Sequence, residues 1–141
     1  MKTLVQFLGA LCVLSVGGVG CSQRANTAER FAGHWEARHN GTAFFTITIK
    51  PTKPVSGTVM VAFVNADDKG NVVEARSEPN TKSDLSAPVL EGNRFSFTAK
   101  DDDEFVRYEM LLTSTNEAEL RFPGVPAGYP PFKLTRTPAG N

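Results

Sequence analysis

Apolar and polar residues alternate along most of this chain, beginning near residue 42. In the first such segment Phe45, Ile47 and Ile49 lie two positions apart, with Thr46 and Thr48 between them. A period of two is typical of a β-strand with one buried face. The same alternation recurs over residues 58–63, 94–100, 106–112, 118–122 and 132–134. The pattern therefore predicts a succession of short strands.

Residues that favour turns separate these segments. Gly92 and Asn93 predict a tight hairpin between two of the strands. Residues 72–76 predict a weaker, less buried strand, and the polar stretch over residues 79–88 predicts a loop. The best helical segment covers only residues 28–31, which is about one turn.

About eight short strands joined by hairpin turns predict an all-β fold, a small up-and-down antiparallel β-barrel. Closing the sheet would remove the exposed edges that a small open sheet presents. A two-sheet β-sandwich is the alternative, because alternation alone does not distinguish the two architectures. The domain is expected over residues 31–137, with residues 138–141 as a short C-terminal tail.

The predicted inner face is strongly aromatic. Seven side chains on it are candidate ligand-binding residues, namely Phe45, Phe63, Phe95, Phe97, Tyr108, Met110 and Phe122. The rest of this face consists of Ile47, Val61, Leu120, Phe132 and Leu134. An apolar interior with one hydroxyl suits a hydrophobic small molecule, but phenylalanines also fill a small barrel, and a filled core is favoured here. A cavity of several hundred cubic ångströms would reverse that preference.

Two apolar residues fall on the opposite, outward face. Phe44 and Met60 alternate with the inward positions of neighbouring segments. If these strands pair, the two side chains form a small exposed apolar patch that would suit a protein contact.

The N-terminal segment differs from the rest of the chain. Lys2 is the only charged residue before Arg24, residues 4–16 are largely apolar, and residues 17–20 are small. A basic start, a short apolar core and small residues are typical of an export signal, here residues 1–20. A membrane-spanning helix, the alternative, needs about 20 apolar residues, and the glycines that end the segment disfavour it.

Cys21 follows this segment directly, and residues 18–21 resemble a bacterial lipoprotein processing site. The resemblance implies cleavage before Cys21, lipid on its sulfur and a tether over residues 21–30. Ser22 in the next position, rather than aspartate, implies a lipid anchor in the outer membrane, facing the periplasm. The other cysteine, Cys12, lies within the signal, so an unlipidated protein would carry an unpaired thiol. Secretion without lipid is the alternative.

Composition limits what the mature domain does. About 120 residues follow the signal, enough for one domain. Without Lys2 the chain has 14 basic side chains against 15 acidic ones, which argues against a nucleic-acid partner. The nine phenylalanines that follow Phe7, and many β-branched residues, suit a sheet whose own core must hold it together.

Three residues at the two ends of the domain carry a resemblance. Gly33 and Trp35 begin the first strand, and Arg136 ends the last. This combination resembles the lipocalin and avidin-like (calycin) superfamily of β-barrels over roughly residues 31–137. The resemblance implies that Trp35 forms the barrel floor, that Gly33 permits a close approach, and that Arg136 packs over the indole. Because a guanidinium gains cation–π attraction there, the three residues are interpreted as structural.

Other candidate sites have simpler interpretations. The acidic residues 101–104 lack the spaced carboxylates and central glycine of a calcium loop and are interpreted as a solvated turn. His34 and His39 fall on opposite faces of a strand and have no third ligand nearby. Glu117 and Glu119 belong to an outward face. The sequence has no nucleophile elbow or phosphate-binding loop, so no enzyme activity, metal or cofactor is predicted.

The sequence thus predicts a non-enzymatic lipoprotein of the bacterial cell envelope. Its lipocalin-like barrel is expected to bind a small apolar ligand or lipid, presented at a membrane. The alternative is a solid-core structural module that contacts another envelope protein through its loops. The proline-rich residues 123–131 are a candidate lid, interaction arm or rigid crossover.

Overall fold

The computed structural model describes residues 27–122 and 125–138. Within these ranges the chain is all-β apart from one helical turn over residues 27–31. The predicted all-β class and the predicted short helical turn are confirmed. The predicted signal and Cys21 lie outside the described residues. Nine strands follow in order: β1 (Gly33–His39), β2 (Thr42–Lys50), β3 (Ser56–Ala66), β4 (Val72–Asp84), β5 (Ser86–Glu91), β6 (Arg94–Asp101), β7 (Glu104–Leu112), β8 (Glu117–Arg121) and β9 (Phe132–Thr137).

All nine strands belong to one antiparallel sheet, in the order β4-β3-β2-β1-β9-β8-β7-β6-β5. Consecutive strands are neighbours, as a meander requires, except that β4 and β5 lie at opposite edges. In the middle of the sheet the first and last strands pair, with Trp35 opposite Arg136. The two-sheet sandwich is therefore wrong, because there is only one sheet among the described strands.

The sheet curls until its two edges meet. Strand β4 ends at Asp84 and β5 begins at Ser86, so only Leu85 separates the two edge strands. Consecutive Cα atoms are about 3.8 Å apart, which forces these edges together at this corner. Leu85 is itself buried. However, no backbone ladder joins β4 to β5 in the part of the chain that is described, so the sheet is not a closed barrel.

Above this corner, side-chain hydroxyls of β4 accept hydrogen bonds from β6 and from the turn that follows it. The Lys100 backbone N–H donates to Ser83 Oγ at 2.9 Å, and the Asp102 N–H donates to Thr81 Oγ1 at 3.1 Å. Residues 79–84 belong to β4 and residues 86–88 belong to β5, so the loop predicted over residues 79–88 is wrong. An edge strand faces water on one side, so its polar side chains need no place in the core.

The core fills the end of the curled sheet where β1 begins. Its largest fully buried side chains are Trp35, Phe31, Phe95, Phe97, Ile47, Ile49, Met110, Leu120, Leu134 and Val59. Phe95 lies between two aromatic neighbours, with ring centroids 5.6 Å from Phe31 and 5.1 Å from Phe97. This end of the interior is solid, as the aromatic content predicts.

A bulge in β2 overturns one prediction from the alternation. Ala37 pairs with Phe45 and Arg38 pairs with Ala43, which leaves Phe44 without a partner in β1. A bulge of this kind places two consecutive side chains on one face. Phe44 and Phe45 are accordingly both buried. The prediction that Phe44 and Met60 form an exposed apolar patch is therefore wrong, because Phe44 is buried.

A second irregularity, in the pairing of β3 with β4, changes the position of Phe63. Ala62 pairs with Asn80 and Val64 pairs with Ala75, so residues 76–79 of β4 form an unpaired segment opposite Phe63. Phe63 was expected among the interior residues but is 41% exposed, with the guanidinium carbon of Arg76 5.0 Å from its ring centroid. Val64 packs against the core instead. The alternation in β3 therefore stops at this point.

Candidate ligand pocket

A pocket of about 590 Å³ opens at the end of the curled sheet away from Trp35. Trp35 pairs with Ile47 in β2. Phe45, the preceding inward-facing residue of β2, is the first residue of this strand to line the pocket beyond Ile47. Its apolar wall consists of Phe44, Phe45, Val61, Val64, Val106, Leu120, Phe122 and Phe132. The volume falls within the range of small-molecule sites, about 300–1,000 Å³. The interior is thus solid at one end and hollow at the other.

Tyr108 lies at the centre of an aromatic cluster that lines the pocket. Its ring centroid is 5.3 Å from Phe45, 5.6 Å from Phe97 and 5.9 Å from Phe122. Aromatic contacts of this kind contribute about 0.5–1.5 kcal/mol each beyond area burial. They hold the tyrosine, which is only 3% exposed, in one position against the pocket.

The Tyr108 hydroxyl is a polar group without a partner among the described residues. Desolvation raises the pKa of Tyr108, and the charge of Asp101 raises it further, whereas no hydrogen bond to the hydroxyl contributes. The group is therefore neutral at physiological pH and available to a ligand. The hydroxyl oxygen keeps accessible surface, so it can donate to a polar atom of a bound ligand.

Two carboxylates stand at the pocket mouth. The turn between β6 and β7 is the hairpin that the sequence predicts, and it brings Asp101 and Asp102 against the pocket. Desolvation raises the pKa of Asp101, and so do the charges of Asp102 and Glu104. No sequence pattern indicates that this acidic turn lies at the pocket, because that position follows from the curl of the sheet.

The structure divides the seven predicted ligand-binding residues into two groups. Phe45, Phe63, Tyr108 and Phe122 line the pocket, with Phe63 at its exposed rim. Phe95, Phe97 and Met110 are fully buried in the solid part of the core and do not line it. Three wall residues were not predicted on the inner face. Alternation with Tyr108 signals Val106, whereas Phe44 and Val64 lie at irregular strand pairings that have no sequence signal.

A second compartment of about 370 Å³ adjoins the first behind Phe122 and Phe132, which line both. The described part of the proline-rich segment, residues 125–131, covers it, and Tyr129 of this segment packs on Gly70 in the β3–β4 turn. A Cβ on Gly70 would lie 2.5 Å from Tyr129 Cγ, and its φ of 83° also requires glycine. The segment is thus anchored over one side of the pocket.

Trp35 and Arg136 pack together at the solid end of the sheet. Trp35 is fully buried, and its Nε1–H donates to the Phe31 carbonyl at 2.8 Å. The guanidinium carbon of Arg136 lies 4.5 Å from the indole centroid. Arg136 also donates to the carbonyls of Ala32 and Arg30, so it ties the helical turn to the sheet. Desolvation lowers the pKa of Arg136 in this position.

Gly33 allows this arrangement because of its backbone. Its φ is 118°, a conformation that side chains with a Cβ rarely adopt. A Cβ there would lie 3.8 Å from the Arg136 side chain, an ordinary contact, so the backbone conformation and not a close approach requires glycine. The glycine therefore lets the chain turn into β1 directly beneath the arginine.

The other chemical candidates are surface contacts. His34 bonds Thr48 Oγ1 at 2.8 Å and Glu36 Oε1 at 3.1 Å. The hydrogen bond from Arg38 is the main reason that the pKa of Glu36 is lowered. Ion pairs link Glu117 to Lys133 and Glu119 to Arg121. No group of three or more potential metal-binding side chains is present in the described ranges.

Comparison with known proteins identifies no relative: no protein-family profile, curated protein or solved structure matches this chain. Among the residues that the structure describes, no helix is both long and apolar enough to cross a membrane.

Proposed function

We propose that this protein is a non-enzymatic lipoprotein of the cell envelope that binds a small apolar ligand or lipid in the curled sheet. The observation that carries the proposal is the pocket of about 590 Å³ with its aromatic wall. An apolar cavity with a few polar groups is the usual form of a small-molecule site. A lipid anchor at Cys21 would place this pocket beside a source of apolar molecules.

The alternative function is an interaction module that contacts another envelope protein through its loops. Phe105, at the start of β7, is 72% exposed and favours such a contact. One exposed phenylalanine is a small surface, whereas the pocket offers a continuous apolar wall. Ligand binding is therefore the function that the geometry supports better.

Native mass spectrometry tests the proposal on the protein extracted gently from cells. We expect a bound mass of lipid size that is lost when the protein is denatured. We also expect an uncharged fluorescent probe with a long alkyl chain to brighten when it binds the ligand-free protein. Absence of both a bound mass and a probe response would favour the interaction module.

A substitution in the pocket wall tests where the probe binds. Val106 is half-buried, lines the pocket and pairs with Ala99. We expect Val106→Trp to fill part of the cavity and raise the Kd of the uncharged probe at least tenfold, about 1.4 kcal/mol. The measurement is a fluorescence titration, with circular dichroism to confirm that the sheet is intact.

The matched control for this variant is Val73→Trp. Val73 is 53% exposed and does not line the pocket, so the Kd should stay within a factor of two of the parent value, about 0.4 kcal/mol. Equal weakening in both variants, or none in Val106→Trp, would mean that the probe binds elsewhere.

The anchor has a separate test. Cys21→Ser should move the protein from the membrane fraction to the soluble fraction and abolish labelling with radioactive palmitate. Each buried methylene contributes about 0.8 kcal/mol, so losing two or more acyl chains removes the anchor completely. Cys12→Ser, within the predicted signal, is the control and should leave labelling unchanged. Continued membrane association of Cys21→Ser would instead favour an uncleaved N-terminal helix.

A further inference from the structure

The charged side chains that line the pocket are all acidic. Besides the Tyr108 hydroxyl, the polar side chains that line it are Asn80, Thr81, Asp101 and Asp102. No lysine, arginine or histidine among the described residues lines the pocket. The charged side chains that line this pocket are therefore two carboxylates. Arg76, paired with Glu74, lies over Phe63 at the rim, and Arg121 lines the adjoining compartment.

The two carboxylates at the mouth are not neutralised by the protein. Neither Asp101 nor Asp102 belongs to an ion pair of the described residues. Desolvation raises the pKa of Asp101, and the charges of Asp102 and Glu104 raise it further. The Asp102 backbone is fixed by its hydrogen bond to Thr81, which holds the turn against the pocket. A cation in the mouth would relieve the repulsion between these groups.

Tyr108 supplies the second, independent indication of a ligand. It is 3% exposed, its side chain lines the cavity, and no hydrogen bond to its hydroxyl appears among the described residues. No group of the described residues pairs with this hydroxyl, and its oxygen keeps accessible surface at the cavity, so it can donate to a polar atom of the ligand. The pocket thus has an apolar wall, an inner hydroxyl and an anionic mouth.

We propose that the pocket selects amphiphiles with a cationic, amine-type head group over fatty acids. The alkyl chain lies against Phe45, Phe122 and Phe132, and the ammonium lies at Asp101 and Asp102. A fatty-acid carboxylate in the same place would be repelled by both side chains. This inference rests on the proposed function, because it assigns the ligand class of that pocket.

Three probes with the same twelve-carbon chain test the selection: dodecylamine, dodecanol and dodecanoate. Each displaces the uncharged fluorescent probe from the ligand-free protein, below its micelle-forming concentration and at low salt. We expect dodecylamine to bind at least tenfold more tightly than dodecanoate, with dodecanol between them. Equal or tighter binding of dodecanoate would overturn this inference and leave the proposed function standing. If neither these compounds nor the fluorescent probe bound, both would fall.

Variants of the acidic turn separate specific recognition from general attraction. The double change Asp101→Asn and Asp102→Asn should reduce the amine preference to less than threefold and leave dodecanol binding unchanged. Asp103→Asn removes a charge from the same turn but does not line the pocket, so the preference should persist. An equal loss in both variants would show that net charge alone attracts the amine and would overturn the proposal.

Discussion

Replacing Trp35 by alanine should lower the free energy of unfolding by about 3–5 kcal/mol. The indole is fully buried, donates a hydrogen bond to the Phe31 carbonyl and carries the Arg136 guanidinium on its face. Alanine would leave a cavity and would also leave the Phe31 carbonyl without this donor. Urea unfolding followed by far-ultraviolet circular dichroism measures the loss, because Trp35 is the sole tryptophan and its fluorescence disappears with it.

The matched control is an aromatic residue that the fold does not bury. Phe105 is 72% exposed, so Phe105→Ala should change stability by less than about 0.5 kcal/mol. A loss below about 1 kcal/mol for Trp35→Ala would contradict the role of the indole as the floor of the sheet.

Replacing Gly57 by alanine should cost about 3 kcal/mol, the upper end of the usual range for overpacking. Gly57 pairs with Ile49, and a Cβ on it would lie 2.0 Å from the Thr48 carbonyl oxygen and 2.9 Å from Leu85 Cδ2. The carbonyl belongs to the backbone, so strands β2 and β3 must move apart. Leu85 is the corner between the edge strands β4 and β5, so the change should also weaken the contact between these two strands. Urea unfolding measures the effect.

Gly128→Ala is the control for this substitution. A Cβ at Gly128 has no heavy atom within 4 Å, so the variant should unfold within about 0.5 kcal/mol of the parent protein. If Gly57→Ala were equally stable, the close approach of β2 to Gly57 would not exist in solution.

The alternation predicted most strands because it reports a local property. A strand with one face in the core needs an apolar residue at every second position, as in Phe45, Ile47 and Ile49. Hairpins at Gly92 and Asn93 and at residues 101–104 were predicted for a similar reason, since turn conformations restrict the residues that form them. The same reasoning fails for residues 79–88, because an edge strand bonds through its backbone and places little demand on its side chains.

Bulges explain the two misplaced phenylalanines. One unpaired residue in β2 turns Phe44 inward, and four unpaired residues in β4 accompany the exposure of Phe63. A bulge is decided by how neighbouring strands register, which depends on residues far away in the sequence. The alternation therefore places both side chains on the wrong face.

The sequence by itself determined the all-β class, the short helical turn and most strand positions, because these depend on local periodicity and turn chemistry. It also singled out Trp35 and Arg136, which pack against each other. Only the tertiary structure decided that the sheet bends at Leu85, that one end is solid and the other hollow, and that the acidic turn borders the cavity. These features arise from the curl of the whole sheet, which brings together residues that no local pattern connects.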